Sequence, residues 1–157
     1  MNSILGFLTM LPVLFCPLLP AIPQISAEQC AARIKYENKN QADPKSLVVN
    51  AVLGQVVLEG GNPVSDLGPA TGACLGIFTE KKHKLIASAT TDSEGHFKFK
   101  DIFPGEYRLV VLYDYFCVAN VPIIIKAKSS SKGKRLMIHM RPGPFHECSY
   151  GEVKSGE

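Results

Sequence analysis

The sequence predicts an all-β fold, a β-sandwich of about seven short strands. From Leu47 onward, short runs rich in β-branched and aromatic residues alternate with clusters of Gly, Pro, Asn, Asp and Ser, and no stretch has the pattern of an ordinary helix. The chain has 157 residues, of which 46% are hydrophobic and 20% charged, so it is long and apolar enough for one folded domain. A net charge of +3 is too small to indicate a nucleic-acid-binding protein.

The first 27 residues have the composition of a secretory signal peptide. They carry no charged side chain, and their apolar run is broken by prolines and ends at the small residue Ala27. Signal peptides are cut after small residues, so we predict cleavage between Ala27 and Glu28. An uncleaved membrane anchor is the alternative, because about 20 apolar residues can span a bilayer. The predicted location is secreted, periplasmic or in the cell envelope, with no stable membrane span after cleavage.

The mature chain divides into three parts. Residues 28–46 are mostly polar and are predicted to form an extended leader, because a residue before proline, as in Asp43-Pro44, avoids the helical region. Residues 47–141 form the sandwich, and residues 142–157 are predicted to be an irregular tail. The predicted strands are 48–58, 73–79, 85–91, 96–100, 107–113, 121–127 and 135–140.

Local signals support several of these strands. Alternation is clearest around Phe97 and Phe99, which are expected to face the core while their neighbours face water. Residues 92–95 and 104–105 have the Asp, Pro and Gly residues that tight turns need. Pro122 predicts an edge strand or a bulge, because proline cannot donate a hydrogen bond to a neighbouring strand.

Four cysteines remain after removal of the signal peptide: Cys30, Cys74, Cys117 and Cys148. An even number of cysteines in an exported protein indicates two disulfides. Zinc is the alternative, but no two of these cysteines have the close spacing of a zinc-binding pair. The sequence alone allows three connectivities.

A family resemblance rests on two neighbouring motifs. The T-D-x-x-G-x-F-x-F pattern of residues 91–99 and the P-G-x-Y pattern of residues 104–107 resemble the signature of carboxypeptidase regulatory-like domains, which are transthyretin-like (prealbumin-like) β-sandwiches. The resemblance covers about residues 48–140, and it departs from the family pattern in loops 65–71 and 113–117. It implies a seven-stranded Greek-key β-sandwich, usually a non-catalytic accessory or structural module of exported proteins.

The resemblance also implies a disulfide pattern. In transthyretin-like sandwiches the second strand lies antiparallel beside the fifth, which implies that Cys74 pairs with Cys117. Cys30 in the leader and Cys148 in the tail are then expected to pair and to fasten both arms to one edge of the sandwich.

The sequence has no recognisable catalytic or metal-binding motif. Its histidines, His83, His96, His139 and His146, lack the spacing of a zinc peptidase, and no G-x-S-x-G motif occurs. We therefore expect no enzymatic activity, no metal and no cofactor. His96 and His139 are expected to be solvated on strand faces.

The strongest candidate binding residues are Tyr113, Tyr115 and Phe116, whose aromatic rings suit a sugar platform or a protein hot spot. The first functional hypothesis is a secreted, non-enzymatic β-sandwich with a structural or binding role, with carbohydrate as one ligand class. The alternative is a protein-binding factor or enzyme inhibitor that acts through loops 65–71 and 113–117. Two basic clusters, 81–84 and 126–135, suit either the protection of sheet edges or an acidic polysaccharide or anionic membrane surface.

Overall fold

The structure, a computed structural model, describes residues 25–36, 45–60, 65–127, 134–143 and 149–154. In these ranges the chain forms one short helix and ten strands, so it is all-β as predicted. The helix is α1 (Ala27–Arg33), and the strands are β1 (Leu47–Val49), β2 (Leu53–Gly60), β3 (Ser65–Pro69), β4 (Cys74–Thr79), β5 (Leu85–Thr90), β6 (His96–Lys98), β7 (Gly105–Leu112), β8 (Ala119–Ile125), β9 (Arg135–Met140) and β10 (Tyr150–Lys154).

The strands form two sheets that pack face to face. The first sheet has the order β1-β8-β7-β4-β5, and the second has the order β10-β9-β2-β3, with β6 also paired to β2. Neighbouring strands are antiparallel except for the pairs β1–β8 and β2–β9, which are parallel. The core lies between the sheets and is built from alternating inward-facing residues, among them Leu75, Ile77, Leu109, Val111, Val56, Leu136 and Ile138.

Strand register determines which loops lie at each end of the sandwich. Cys74 of β4 lies opposite Leu112 of β7, so the residues before β4 and after β7 are neighbours at one end. Cys74 also lies opposite Thr90, which brings the residues after β5 to the same end. We call this the cleft end, for the cavity described below.

The opposite end is set by the other termini of the same strands. Thr79 of β4 lies opposite Tyr107 of β7, and Gly105 of β7 lies opposite Ile125 of β8. The β4–β5 turn, the β6–β7 loop and the end of β8 therefore lie here. We call this the basic end, for the charges described below.

The structure has more strands than the seven predicted. Residues 48–58, predicted as one strand, contain β1 in the first sheet and most of β2 in the second. Two strands were missed: β3 lies in loop 65–71, and β10 lies in the tail that was predicted to be irregular. Neither strand has a clear apolar alternation in its sequence. Both are held mainly by backbone pairing, β3 with β2 and β10 with β9.

The predicted extended leader is wrong over α1. Ser26 caps this helix in a capping box: its hydroxyl accepts a hydrogen bond from the Gln29 amide, and the Gln29 side chain accepts one from the Ser26 amide. The helix packs on β4 and β5 and buries Cys30. A helix of seven residues is too short to be stable alone, so this contact stabilises it.

Pro122 does not mark an edge strand, since β8 lies between β1 and β7. However, β1 pairs with β8 only from Ile123 to Ile125. Pro122 lies outside this short pairing, where its missing N–H removes no hydrogen bond between β8 and β1.

Candidate functional site

A disulfide fixes α1 to the sandwich. Cys30 is bonded to Cys74, with their Cα atoms 5.3 Å apart. The expected Cys74–Cys117 pair is therefore wrong, although β4 and β7 are neighbours as the resemblance implied. Beyond β7 the chain turns away toward the second sheet, where the Cys117 amide donates to the carbonyl of Arg141 at 2.7 Å. Cys148, the other expected partner, lies outside the described residues.

A half-open cavity of about 830 Å³ lies at the cleft end. Ile25, before α1, and Arg33, its last residue, form part of the wall, and Leu58 of β2 forms another part. Residues 112–116 line the cavity next to Thr71, Gly72 and the residues after β5. The structure thus brings the end of loop 65–71 and loop 113–117 to one cleft, as a shared binding site requires.

The three aromatic residues of the predicted binding loop have different environments. The side chain of Tyr115 is 94% exposed at the rim of the cleft, and its backbone has a φ of +67°. Tyr113 and Phe116 are half-buried, pack against the core and form a T-shaped pair with ring centroids 5.5 Å apart. Of these three residues, Tyr115 is therefore the one whose whole ring is exposed to solvent.

Loop 113–117 is held in place from both sides. Arg33, at the end of α1, forms an ion pair with Asp114 at 2.6 Å. Within the loop, the Phe116 amide donates to the Tyr113 carbonyl at 3.1 Å, and Phe116 pairs with Pro142 beyond β9. Because these contacts join the loop to the helix and to the second sheet, Tyr115 projects from a fixed support.

The opposite wall of the cleft depends on a buried threonine. Thr91 is only 5% exposed, and its hydroxyl donates to the Ala70 carbonyl. The same oxygen accepts a hydrogen bond from the Ala73 amide at 2.8 Å. Thr91 thus satisfies both backbone groups and fixes the path of residues 70–73 beside the cleft.

A polar cluster on the outer face of the second sheet was not predicted. The side chain of His139 is only 12% exposed, so the expectation that it is solvated is wrong. Its Nδ1 lies 2.5 Å from Glu59 Oε1 and its Nε2 lies 3.1 Å from Glu152 Oε1. Arg141 donates to the other Glu59 oxygen at 3.0 Å, and Tyr150 stacks on the imidazole with ring centroids 4.6 Å apart.

These contacts change the acidity of three groups. Burial raises the pKa of Glu59, but hydrogen bonds and attraction from Arg141 and His139 lower it more, so the pKa lies below the usual 4.5. The hydrogen bond from His139, with that of Lys154, also holds the pKa of Glu152 below its usual value. Burial, together with the nearby Glu59 charge, raises the pKa of Tyr150.

The cluster is suited to a structural role. Both ring nitrogens of His139 are engaged by carboxylates, so neither is presented to a substrate as a base. The contacts join β2 to β9 and β10, and His139 lies 80 residues after Glu59. Sequence inspection could not find the cluster, since Glu152 and Tyr150 lie in the strand that was missed.

The other two described histidines, His96 and His83, have different contacts. The ring of His96 is partly exposed, with Nδ1 3.3 Å from Glu94 Oε2, which agrees with the predicted surface position. His83 stacks on Tyr36 with ring centroids 3.7 Å apart, and His146 lies outside the described residues. Among the residues that the structure describes, no group of three His, Cys, Asp or Glu side chains could hold a metal ion. No helix in the described ranges has the length and apolarity to cross a membrane.

The fold and this cleft define a disulfide-bonded β-sandwich. The chain belongs to the family described as BOS complex subunit NOMO1-like, second beta sandwich domain, whose model matches residues 50–139. The prediction of a transthyretin-like β-sandwich is confirmed, whereas the narrower carboxypeptidase regulatory-like label stays a prediction.

The chain is also similar to a solved structure. The crystal structure of sea bream transthyretin in complex with thyroxine has a TM-score of 0.43 and 16% sequence identity, over 68% of this chain and 98% of that one. No curated protein matches the chain.

Proposed function

We propose that the protein is an exported, non-enzymatic β-sandwich that binds a partner protein at its cleft end. The observation that carries this proposal is the position of Tyr115, which is 94% exposed on a well-supported loop at the rim of a cleft. An exposed tyrosine on a rigid support loses little conformational entropy on binding, and tyrosine is enriched among hot-spot residues.

Two features support a protein partner rather than a carbohydrate. Tyr113 and Phe116 are turned toward the core, so they do not extend the Tyr115 ring into a flat platform for a sugar. The family description names a complex subunit, which is a protein that assembles with other proteins. Enzyme inhibition is one form that such binding takes.

Export is supported by the sequence and by the disulfide. The apolar, uncharged residues 1–27 have the composition of a signal peptide. A buried disulfide between Cys30 and Cys74 suits an oxidising compartment. The non-enzymatic assignment is supported by His139, whose ring nitrogens are both engaged by carboxylates.

The test is site-specific photo-crosslinking in the native host. A photoreactive phenylalanine analogue replaces Tyr115 in one variant and Phe103 in another, since Phe103 is also exposed but lies at the basic end. We expect a defined protein adduct from position 115 that is absent from position 103. Addition of the untagged protein should suppress this adduct, and addition of the Tyr115→Ala protein should suppress it much less.

Three results would contradict the proposal. Equal adducts from both positions would indicate non-specific contact. Tyr115-dependent binding to a glycan array without a protein adduct would favour a carbohydrate ligand instead. Hydrolytic activity that is lost in a Tyr115→Ala variant would indicate an enzyme.

A further inference from the structure

The fold brings the two basic clusters of the sequence to the same end. Residues 81–84 form the turn after β4, Lys126 follows β8, and Lys134 and Arg135 lie at the start of β9. The register places Thr79, Gly105 and Ile125 at one end of neighbouring strands, which are about 5 Å apart. Clusters that are far apart in sequence therefore flank the start of β7.

The described cations of this end are exposed. They include Lys81, Lys82, Lys84, Lys126, Lys134 and Arg135. Glu80 at the same end is neutralised by Arg108, whose Nε donates to its carboxylate at 3.0 Å. Asp101 and Glu106 are also exposed here, but the cations outnumber them. The electrostatic potential of the basic end therefore favours a negatively charged partner.

An exposed aromatic residue projects from the middle of this end. Phe103 is 81% exposed in the loop before β7. Two contacts hold this loop in place. The Tyr107 hydroxyl donates to the Phe103 carbonyl at 3.1 Å, and Ile102 packs against the core. Leaving a phenylalanine side chain in water is unfavourable compared with burying it in an apolar environment. The position of Phe103 among lysines suits a partner whose surface is negatively charged and whose interior is apolar.

From this arrangement we infer that the basic end binds the surface of an anionic lipid membrane. Phe103 inserts into the interfacial region, while the lysines on either side contact lipid phosphates. An acidic polysaccharide would satisfy the lysines but offers no apolar interior for Phe103, which favours the lipid. This surface is separate from the cleft, since it lies at the other end of β7.

The first test uses tryptophan fluorescence, because the chain contains no tryptophan. The full chain is purified as a Phe103→Trp variant and, as a matched control, as a Tyr115→Trp variant. With vesicles of phosphatidylcholine and 30% phosphatidylglycerol, we expect a blue shift for residue 103 and none for residue 115. Vesicles of phosphatidylcholine alone report any binding by residues 1–27, which both variants share.

The second test measures vesicle sedimentation. Lys81→Gln combined with Lys82→Gln should weaken binding to anionic vesicles by at least about tenfold, since each lysine contributes roughly 1 kcal/mol near such a surface. Phe103→Ala should weaken it by about fivefold or more. Added salt should weaken binding throughout, because it screens the attraction between the lysines and the lipid phosphates.

Specific results would overturn the inference. They are equal fluorescence shifts at positions 103 and 115, or sedimentation that neither the lysine substitutions nor Phe103→Ala reduce. Retention on heparin without binding to anionic vesicles would indicate a polysaccharide ligand instead. The variants carry exposed substitutions, so unchanged melting temperatures confirm that they are folded.

Discussion

Phe103 and Tyr115 lie just beyond the opposite ends of one strand, β7 (Gly105–Leu112). Eight residues of extended chain separate their loops by about 26 Å. Phe103 lies among lysines, whereas Tyr115 follows Asp114 and lies at the cleft. The sandwich thus presents an exposed aromatic ring at each end, and each ring is a control for the other in binding experiments.

Loss of the Cys30–Cys74 disulfide should destabilise the protein. The bond closes a loop of 44 residues, for which the chain-entropy model gives about 4 kcal/mol. We expect Cys30→Ser with Cys74→Ser to lower the free energy of unfolding by that order in denaturant titrations. Peptide mapping without reduction should recover the Cys30–Cys74 peptide. A Cys74–Cys117 peptide would contradict the structure.

Cys117 and Cys148 are expected to form the second disulfide. The hydroxyl of Ser149, the next residue after Cys148, donates to the Cys117 carbonyl at 2.8 Å. With Cys30 bonded to Cys74, Cys117 and Cys148 are the two cysteines of the predicted mature chain that remain for a second bond. The same peptide map should contain a Cys117–Cys148 peptide, and thiol labelling of the denatured, unreduced protein should find no free thiol in the mature chain.

The cluster around His139 should make stability fall in acid. The pKa values of Glu59 and Glu152 lie below their usual 4.5 in the folded protein. Their contribution is therefore complete above about pH 4.5, which is near the pKa in the unfolded chain, and is lost as the pH falls through the lower folded-state values. Melting temperatures measured from pH 7 to pH 3 should show this loss.

A substitution at Glu59 tests the source of that acid sensitivity. Glu59→Gln removes the charged acceptor for Arg141 and His139, so it should cost about 2 kcal/mol at pH 7. It should also flatten the pH dependence below 4.5, the usual pKa of the group. The exposed Glu106→Gln is the matched control and should change neither. An acid profile that is identical in Glu59→Gln and the original protein would contradict the assignment.

Thr91 should be more sensitive to substitution than its neighbour. Thr91→Val keeps the shape of the side chain but leaves the buried Ala73 amide and Ala70 carbonyl without their shared partner. We expect a loss of about 1–3 kcal/mol in the free energy of unfolding. Thr90→Val, at the adjacent and less buried position, should cost much less. Similar losses at both positions would show that burial of the strand, not the hydrogen bonds, is responsible.

Cleavage of the predicted signal peptide should leave Glu28 as the first residue. This cut removes Ser26, the cap of α1, which should cost the helix about 1 kcal/mol. The disulfide at Cys30 still holds the helix on the sheet. The same cut removes Ile25 from the wall of the cleft. The intact mass of the exported protein gives the cleavage site, and retention of residues 1–27 in a membrane fraction would indicate an anchor.

Local chemistry was sufficient to predict most of the strands. The alternation around Phe97 and the turn residues 92–95 act within a few residues, so they are visible in the sequence. The sequence also indicated a possible binding loop with Tyr113, Tyr115 and Phe116, but it did not show that Tyr115 is the exposed ring of the three. The all-β class and the sandwich followed from such signals.

The remaining features depend on contacts between residues far apart in the chain. α1 is too short to be predicted with ease and is stabilised by β4, β5 and the bond to Cys74. β3 and β10 are defined by backbone pairing to strands that were recognised without them. The pattern of side chains in a segment does not indicate which sheet that segment will lie against. The position of Cys117 near the second sheet could therefore not be predicted. Only the tertiary structure assembled the cleft, the His139 cluster and the basic end, because each draws its residues from several strands.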